Sequence, residues 1–317
     1  FSDYLLDIVG RCVHSRLSFP PQKLFELDKN RRLIIGMNGE IQIIDENLIP
    51  EFEYKKPFPT SISISSVSKN KLFACWIDIE LMIARMASID LNSEIKNGLT
   101  RSELRKNLES KKQPHVESSN WSHILDAEPL AIISNSEFVI FTTWKRGVYC
   151  LDHDSNEIWR IPEIKWSKNI KNANLVVSIE ITNEGILVWS KAAEWALINE
   201  KTGEIIEMGQ VDFQNILEKV FVYENKRLLC SPNGFVLWVE DLNSNDNLKM
   251  KQKGPIHDAK WDPEKECWRI CQWREDILWS KSDIIKNTRK EIGKSIFKHN
   301  ETWTVLENSG SFSKHFS

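Results

Sequence analysis

The sequence contains few glycines, no long apolar run and little net charge. Only 12 of the 317 residues are glycine and no two of them are adjacent, so the chain offers no glycine-rich loop that could cradle a phosphate. No run of about 18 apolar residues occurs, and this excludes a helix that spans a bilayer. The formal net charge is -3, so no overall positive field draws the protein to nucleic acid. We therefore expect neither a membrane span nor a nucleic-acid partner.

The six cysteines include no adjacent pair: Cys12, Cys75, Cys150, Cys230, Cys267 and Cys271. All except Cys12 and Cys267 lie in apolar, strand-like runs, where a free thiol behaves as a small hydrophobic residue. A domain of this length builds a sufficient core without disulfides, so we expect reduced cysteines and a cytoplasmic protein. The chain as given begins with Phe1 rather than Met, which leaves open a leader that has been removed.

The sequence contains no arrangement of residues typical of catalysis or metal binding. Its seven histidines are isolated, and neither a Gly-x-Ser-x-Gly elbow nor a His-Glu-x-x-His helix is present. Cys267 and Cys271 have a Cys-x-x-x-Cys spacing, but no second pair accompanies them at ligand spacing. His257 beside Asp258 fits a general base with its orienting carboxylate, although a structural hydrogen bond is favoured for such a histidine. We therefore expect no metal and no cofactor, and we assign no catalytic residue.

The main features that the sequence does contain are a recurring strand pattern and 13 tryptophans. Residues 147–160 alternate as a strand does, pass through a polar cluster with turn chemistry, and resume an apolar run at Ile158 and Trp159. Weaker copies recur, each marked by a polar residue at the end of its third strand: Asp45, Asp90, Asp152, Asn199, Asp241 and Asp283. Successive gaps are 45, 62, 47, 42 and 42 residues, and all but one fit the roughly 40 to 50 residues of a propeller blade. The tryptophans lie in or beside apolar runs, which predicts core positions.

These repeats predict an all-β fold, a β-propeller formed as a single domain by residues 1–317. Six copies are visible, and the length of the chain favours seven four-stranded blades over six. The seventh copy is expected to be split, with residues 295–306 supplying inner or middle strands and the N-terminal segment supplying the closing strand. The longest gap holds an insertion at residues 93–120, where Thr100-Arg-Ser-Glu103 is a capping-box signature for a helix. We expect the polar residues after that helix to be mobile.

The third strand of the best-preserved copy, with the turn and strand that follow it, resembles a known family. Gly147-Val-Tyr-Cys-Leu-Asp152, followed by Asn156-Glu-Ile-Trp159, resembles the repeat of the PQQ-like, BamB-like β-propellers. Glu194-Trp-Ala-Leu-Ile-Asn199 with Thr202-Gly203-Glu204 is similar to that repeat, whereas His257-Asp-Ala-Lys-Trp-Asp-Pro263 with Asp276-Ile-Leu-Trp279 is similar to a WD40 blade. The resemblance implies a propeller without the quinone, because the adjacent cysteines and the calcium site of the family's quinone enzymes are missing here.

Two stretches are candidates for binding a partner. Trp144, Lys145 and Arg146 occupy a predicted turn, where an aromatic ring and two cations are presented by a rigid scaffold. A hairpin turn without a function is the alternative for this stretch. The insertion carries five basic and two acidic residues from position 101 to 112, and it either docks a partner or is a charged excursion that projects from the disc. Its candidate contact residues are Arg101, Arg105 and Lys106.

The absence of a catalytic signature favours a non-enzymatic scaffold for protein–protein interaction, as a subunit of a larger assembly. The expected partner is a protein that the residues do not identify. The alternative is a hydrolase or lyase with a funnel site, whose carboxylates would be Asp126 with Glu128, or Glu275 with Asp276. A deep channel with several titratable groups of shifted pKa would favour the enzyme. A shallow or plugged channel with a large exposed apolar patch would favour the scaffold.

Overall fold

The strands of the protein form seven antiparallel sheets that close into a ring. The computed structural model describes residues 16–167 and 173–316, which contain 26 strands and one α-helix. Within each sheet, hydrogen-bonded neighbours are consecutive in the chain, so every sheet is one blade built from a continuous stretch. The first strand of each blade lines a central channel, and the first strands of blades 7 and 1 are in contact. The predicted all-β, seven-bladed propeller is therefore confirmed.

Five blades have four strands, and the described parts of blades 1 and 7 have three. The strands of blades 1 to 3 are β1 (Pro21–Glu26), β2 (Arg32–Gly36), β3 (Ile41–Ile44), β4 (Ile62–Ser68), β5 (Lys71–Asp78), β6 (Ile83–Asp90), β7 (Ser119–Leu125), β8 (Pro129–Ser134), β9 (Phe138–Thr143), β10 (Gly147–Asp152) and β11 (Glu157–Ile161). The strands of blades 4 to 7 are β12 (Val176–Ile181), β13 (Ile186–Ser190), β14 (Glu194–Ile198), β15 (Ile205–Gln210), β16 (Lys219–Tyr223), β17 (Lys226–Cys230), β18 (Phe235–Val239), β19 (Leu248–Lys251), β20 (Ile256–Asp262), β21 (Cys267–Gln272), β22 (Glu275–Trp279), β23 (Ile284–Thr288), β24 (Gly293–His299), β25 (Thr302–Glu307) and β26 (Phe312–Lys314).

Blades 1 and 7 depart from the expected four strands where the ring closes. In blade 1 only two isolated bridges, from Ile44 to Pro50 and from Ile41 to Lys55, mark the place of a fourth strand. The N-terminal segment was expected to close blade 7, and its residues 1–15 lie outside the described part of the chain. The first described residues already reach that blade, because the Leu17 amide donates to the Gly310 carbonyl at 3.0 Å.

The strand directions give the ring two different faces. Because strands alternate in direction within a blade, the links between consecutive blades lie on the same face as the turns between second and third strands. We call this the link face. The turns between first and second strands and between third and fourth strands lie on the opposite side, which we call the hairpin face. The six polar residues that marked the repeat all lie at the end of a third strand or shortly after it, and therefore on the hairpin face.

Large apolar side chains fill the spaces between blades. A middle strand is covered on both sides by neighbouring blades, and residues 72–76 of β5 are accordingly all buried instead of alternating with polar residues. Trp238 packs edge to face against Trp261 and Trp279, and Trp261 does the same against Trp268, with ring centroids 5.5 to 5.6 Å apart. These four tryptophans hold blades 5 and 6 together, which is the core role predicted from the sequence.

The insertion packs against the propeller instead of projecting from it as expected. Helix α1 (Arg101–Glu109) begins at Thr100 with the predicted capping box. In the described ranges, no helix is both long and apolar enough to cross a membrane. Leu104 and Val116 are fully buried in the cluster that also holds Trp76. The Glu117 amide donates to the Pro57 carbonyl at 3.0 Å, so the insertion is also hydrogen-bonded to the link between blades 1 and 2.

Candidate interaction face and central channel

The predicted turn of Trp144, Lys145 and Arg146 joins β9 to β10 and lies on the link face. The indole of Trp144 is 44% exposed, and the Lys145 ammonium lies 5.2 Å from the centroid of that ring, within the range of a cation–π contact. Arg146 forms an ion pair with Asp126 at 2.9 Å. The turn therefore presents an exposed aromatic ring and one cation, while the second cation is partly neutralised by a residue of the adjoining link.

The basic residues of the insertion are less available than their sequence indicated. Arg101 forms ion pairs with Asp78 at 2.9 Å and with Glu80 at 2.7 Å, and Arg105 contacts Glu80 at 2.5 Å. These carboxylates belong to the end of β5 and the turn after it, so α1 borders the link face. Lys106 is exposed in the last turn of α1. The two predicted partner-binding stretches thus reach the same face in adjacent blades, but the arginines are already paired within the chain.

Apart from Trp144, the exposed apolar side chains in the turns of the link face were missed by the sequence analysis. Ile79 and Met82, in the turn between β5 and β6, are 84% and 90% exposed. The other exposed members in turns and links of this face are Met37, Trp144, Ile216 and Trp273. Leu81 and Met82 continue the apolar run of the following strand in the sequence, but β6 begins only at Ile83. A positive φ of 53° at Met82 places that residue in a tight turn, which apolar periodicity does not reveal.

Two of these apolar residues line a groove between blades 1 and 2. The groove has a volume of about 480 Å³ and is lined by Met37, Thr60, Ile79, Glu80 and Arg101, among others. It combines an apolar wall with the paired charges of Glu80 and Arg101. An interface with an apolar centre and a polar rim has this composition.

The central channel has a volume of about 500 Å³ and is lined by the first strands of all seven blades. Lys23, Lys219, His257 and Lys294 face it from blades 1, 5, 6 and 7, together with Lys260, Glu218 and Asp258. The Lys23 side chain is accessible to the water of the channel but surrounded by protein, and this partial desolvation lowers its pKa to about 8. Burial also raises the pKa of Asp258 and lowers that of His257. The channel is thus neither shallow nor free of titratable groups.

The histidine and carboxylate pairs considered for catalysis are engaged in structural contacts. The Nδ1 atom of His257 lies 2.8 Å from the Gly293 carbonyl oxygen, which is the structural hydrogen bond favoured above. The Asp258 carboxylate accepts hydrogen bonds from the amides of Ile296 at 2.7 Å and Ala259 at 2.9 Å. Asp258 therefore orients backbone and not the imidazole of His257, and the expected base and orienter are not paired.

Glu275, Asp276 and the two closely spaced cysteines are also occupied or buried, whereas Glu128 is exposed near Asp126, which is paired with Arg146. Asp276 forms an ion pair with Arg289 at 2.6 Å, and Glu275 accepts a hydrogen bond from Gln272 at 2.6 Å. Cys267 and Cys271 are buried free thiols, and burial raises the pKa of both above the usual range, which disfavours the thiolate that metal binding requires. Across residues 16–167 and 173–316, no group of three or more histidine, cysteine or acidic residues is placed to hold a metal.

Comparison with known proteins agrees with the fold. The β-propeller domain of Cps50 (Swd1) from Myceliophteria thermophila is similar with a TM-score of 0.66 and 12% identity, covering 95% of this chain and 97% of that one. The WD40 β-propeller domain of Doa1 is similar with a TM-score of 0.63 and 12% identity, covering 95% and 96%. A computationally designed protein gives 0.59 and 9%, covering 95% and 98%. No family model and no curated protein matches the sequence. Identities this low establish the propeller fold alone, with WD40 domains among its structural neighbours.

Proposed function

We propose that the protein is a non-enzymatic scaffold that binds a partner protein through its link face, as a subunit of a larger assembly. The observation that carries this proposal is the uneven distribution of exposed apolar side chains between the turns of the two faces. Ile79, Met82, Trp144 and Trp273 project from turns of the link face, whereas hairpin-face turns such as 69–70, 135–137 and 300–301 are polar. Exposed aromatic and apolar side chains stabilise a complex when a partner removes them from water.

The ion pairs beside these residues fit the polar rim of a protein–protein interface. Arg146 with Asp126, and Arg101 with Glu80, border the apolar side chains with paired charges, and paired charges at a rim contribute specificity more than affinity. We therefore propose that Trp144 and Met82 supply most of the binding free energy. Lys145, Arg146, Arg101, Arg105 and Lys106 are proposed as rim contacts that orient the partner.

The test compares affinity capture from a native extract by three proteins. These are the unmodified chain, a link-face variant with Met82→Ser and Trp144→Ala, and a hairpin-face control, Ile49→Ser, which also removes an exposed apolar side chain. We expect the control to retain the same specific partner as the unmodified chain and the link-face variant to lose it at least tenfold. Equal capture by all three proteins, with unchanged thermal unfolding, would refute the proposal. Deletion of residues 93–120 is unsuitable as a variant because Leu104 and Val116 belong to the core.

A funnel-site hydrolase or lyase is the second candidate, and the central channel favours it, because the channel holds several titratable groups of shifted pKa, Lys23, His257 and Asp258 among them. Lys23 combines a pKa of about 8 with access to the channel, and an amine that loses its proton near neutral pH is a usable nucleophile. A panel of hydrolase and lyase substrates separates the two candidates. Turnover that Lys23→Met abolishes, with folding intact, would replace the scaffold proposal with the enzyme.

We further propose that residues 1–317 form one domain, that its N-terminal segment completes blade 7, and that the protein is cytoplasmic. The bond between Leu17 and Gly310 supports the closure. The five cysteines of the described residues are buried free thiols, which agrees with a reducing compartment. The likeness to PQQ-like, BamB-like blades is proposed for blades 3 and 4, on Gly147 and Trp159 in blade 3 and on Trp195 and Gly203 in blade 4. Finding an N-terminal residue bonded to the outer edge of β26 in an experimental structure would test the closure.

A further inference from the structure

The channel contains an arc of basic side chains contributed by four consecutive blades. Lys219 of blade 5, His257 of blade 6, Lys294 of blade 7 and Lys23 of blade 1 all face it. Each occurs within the first three residues of its strand, so all four lie at the link-face end of the channel. We call Lys219, Lys294 and Lys23, with His257 between them, the basic arc.

The charges of the basic arc are not neutralised within the described residues. None of its three lysines forms a salt bridge with the part of the chain that the structure describes. Lys23 and Lys219 instead donate to the carbonyls of Ser65 and Ile256, both at 3.1 Å. A carbonyl dipole satisfies one donor of an ammonium but does not cancel its charge.

The members of the arc also repel one another. Burial is the largest cause of the lowered pKa of Lys23, His257 and Lys294, and the positive charge of Lys219 lowers all three further. Lys294 likewise lowers the pKa of His257. Such repulsion is relieved when an anion binds between the cations.

The two acidic residues that face the arc leave this charge uncompensated. The Asp258 carboxylate raises the pKa of Lys23, but it is half-buried and already accepts two backbone hydrogen bonds. Glu218 is exposed at the mouth of the channel. Lys260, further along β20, adds another positive charge, so cations outnumber carboxylates along this wall.

Across the part of the chain that the structure describes, the opposite wall of the channel is uncharged. The described residues that blades 2 to 4 contribute there are apolar residues and serines: Ile62, Ser63, Ile64, Ser65, Leu130, Ala131, Ile132, Val177, Ser178 and Ile179. The channel is therefore cationic on one side and neutral on the other. Its volume of about 500 Å³ falls in the range of small-molecule sites, roughly 300 to 1,000 Å³.

We propose that the basic arc is a binding site for a compact anion that carries several phosphate groups, entering the channel from the link face. Lysine recognises phosphate as a point charge, whereas a single carboxylate is bound best by the fork of an arginine, and no arginine lines this channel among the described residues. Cations spread over four blades suit several phosphates better than one. The phosphates belong either to a free small molecule or to phosphorylated side chains of a protein, and the site is independent of the apolar link-face contact.

The first test is calorimetric titration with sodium tripolyphosphate. We expect saturable binding of one ligand per chain, and at least about tenfold weaker binding for Lys219→Met and for Lys294→Met, because each removes one charge next to the anion. The matched control is Lys29→Met, which removes an exposed lysine of the hairpin face of blade 1 and should change the affinity less than about twofold. Equal weakening by all three variants, or no saturable binding by the unmodified chain, would overturn the proposal.

The second test uses the unmodified chain and does not depend on how any variant folds. Acylation of lysines is followed by mass spectrometry with and without tripolyphosphate. Lys23, Lys219 and Lys294 should be protected at least about fivefold while Lys29 is labelled at the same rate, and equal labelling of all four with and without the ligand contradicts the site.

Two further probes separate the sources of the phosphates. Inositol hexakisphosphate represents the free ligand, and a doubly phosphorylated peptide with its unphosphorylated counterpart represents a protein side chain. Displacement of tripolyphosphate by the inositol compound alone assigns a small molecule, and displacement by the phosphopeptide alone assigns a modified partner. Displacement by neither probe overturns the assignment to phosphate esters.

Discussion

The buried ion pair between Glu180 and Arg227 joins blade 4 to blade 5 and yields a quantitative prediction. The Arg227 Nε atom lies 2.8 and 3.1 Å from the two carboxylate oxygens of Glu180, and the Trp189 indole donates to the same carboxylate at 2.7 Å. The side chains of Arg227 and Glu180 are only 9% and 4% exposed. Removing Arg227 therefore leaves a carboxylate that is withdrawn from water and retains only the indole as a partner.

We expect Arg227→Met to lower the free energy of unfolding by about 3 to 5 kcal/mol, the usual cost of leaving one member of a buried ion pair uncompensated. The double variant Glu180→Gln with Arg227→Met should lose clearly less, because a neutral amide costs less to bury and its oxygen still accepts from Trp189. For a chain of 317 residues, an unfolding entropy of roughly 2.1 cal/mol/K per residue converts the single loss into a fall in Tm of about 4 to 8 °C.

Calorimetric and tryptophan-fluorescence melting of the unmodified chain, both single variants and the double variant measures this coupling. We expect an interaction free energy of about 1 to 3 kcal/mol between the two sites. A loss below about 1 kcal/mol for Arg227→Met, or a double variant that loses the full sum of the singles, would refute the reasoning. Either outcome would mean that the two charges are not withdrawn from water as the structure shows.

Three other substitutions test local features. Gly147→Ala should cost at least about 2 kcal/mol, because Gly147 has φ +121° and an added Cβ would lie 2.0 Å from the Ile161 carbonyl oxygen; an unchanged Tm contradicts this. Burial lowers the pKa of His315 from 6.5 to about 3. The contribution of the neutral His315 imidazole to folding stability is therefore complete above pH 6.5 and is lost as the pH falls towards 3. His315→Gln should flatten the fall in Tm across that window. Thr100→Ala should cost about 1 kcal/mol by removing the cap of α1, and proteolysis should cleave within that helix sooner; equal cleavage rates contradict it.

The repeat and the capping box could be predicted because both depend on residues close in sequence. The polar residues after the third strands recur with the length of one blade, and Thr100 with Glu103 specifies a helix start through contacts three residues apart. The packing of the insertion could not be predicted in this way. Val116 reads as an isolated apolar residue in a polar stretch, and only the ring brings it beside Trp76.

Arg101 of the insertion illustrates the same limit, and the channel lysines illustrate one signal in the sequence that was overlooked. Arg101 appeared to be a free cation, and its partners Asp78 and Glu80 are more than 20 residues away in the chain. Lys23, Lys219 and Lys294 each occur near the start of a first strand. Aligning the copies on their first strands instead of their third would have placed these lysines within the first three positions of their strands, and hence at one end of one channel.

The closure of the ring has a consequence for synthesis on the ribosome. Leu17, Phe19, Ile34 and Ile44 share one apolar cluster with Phe297 and Leu306, so the first blade completed is covered by the last one made. Some 250 residues separate Ile44 from Phe297, and at translation rates of about 5 to 20 residues per second that interval lasts roughly 10 to 50 s. Throughout it the nascent chain exposes a half-formed hydrophobic surface, which makes its earliest blade a substrate for chaperones until the final strands emerge.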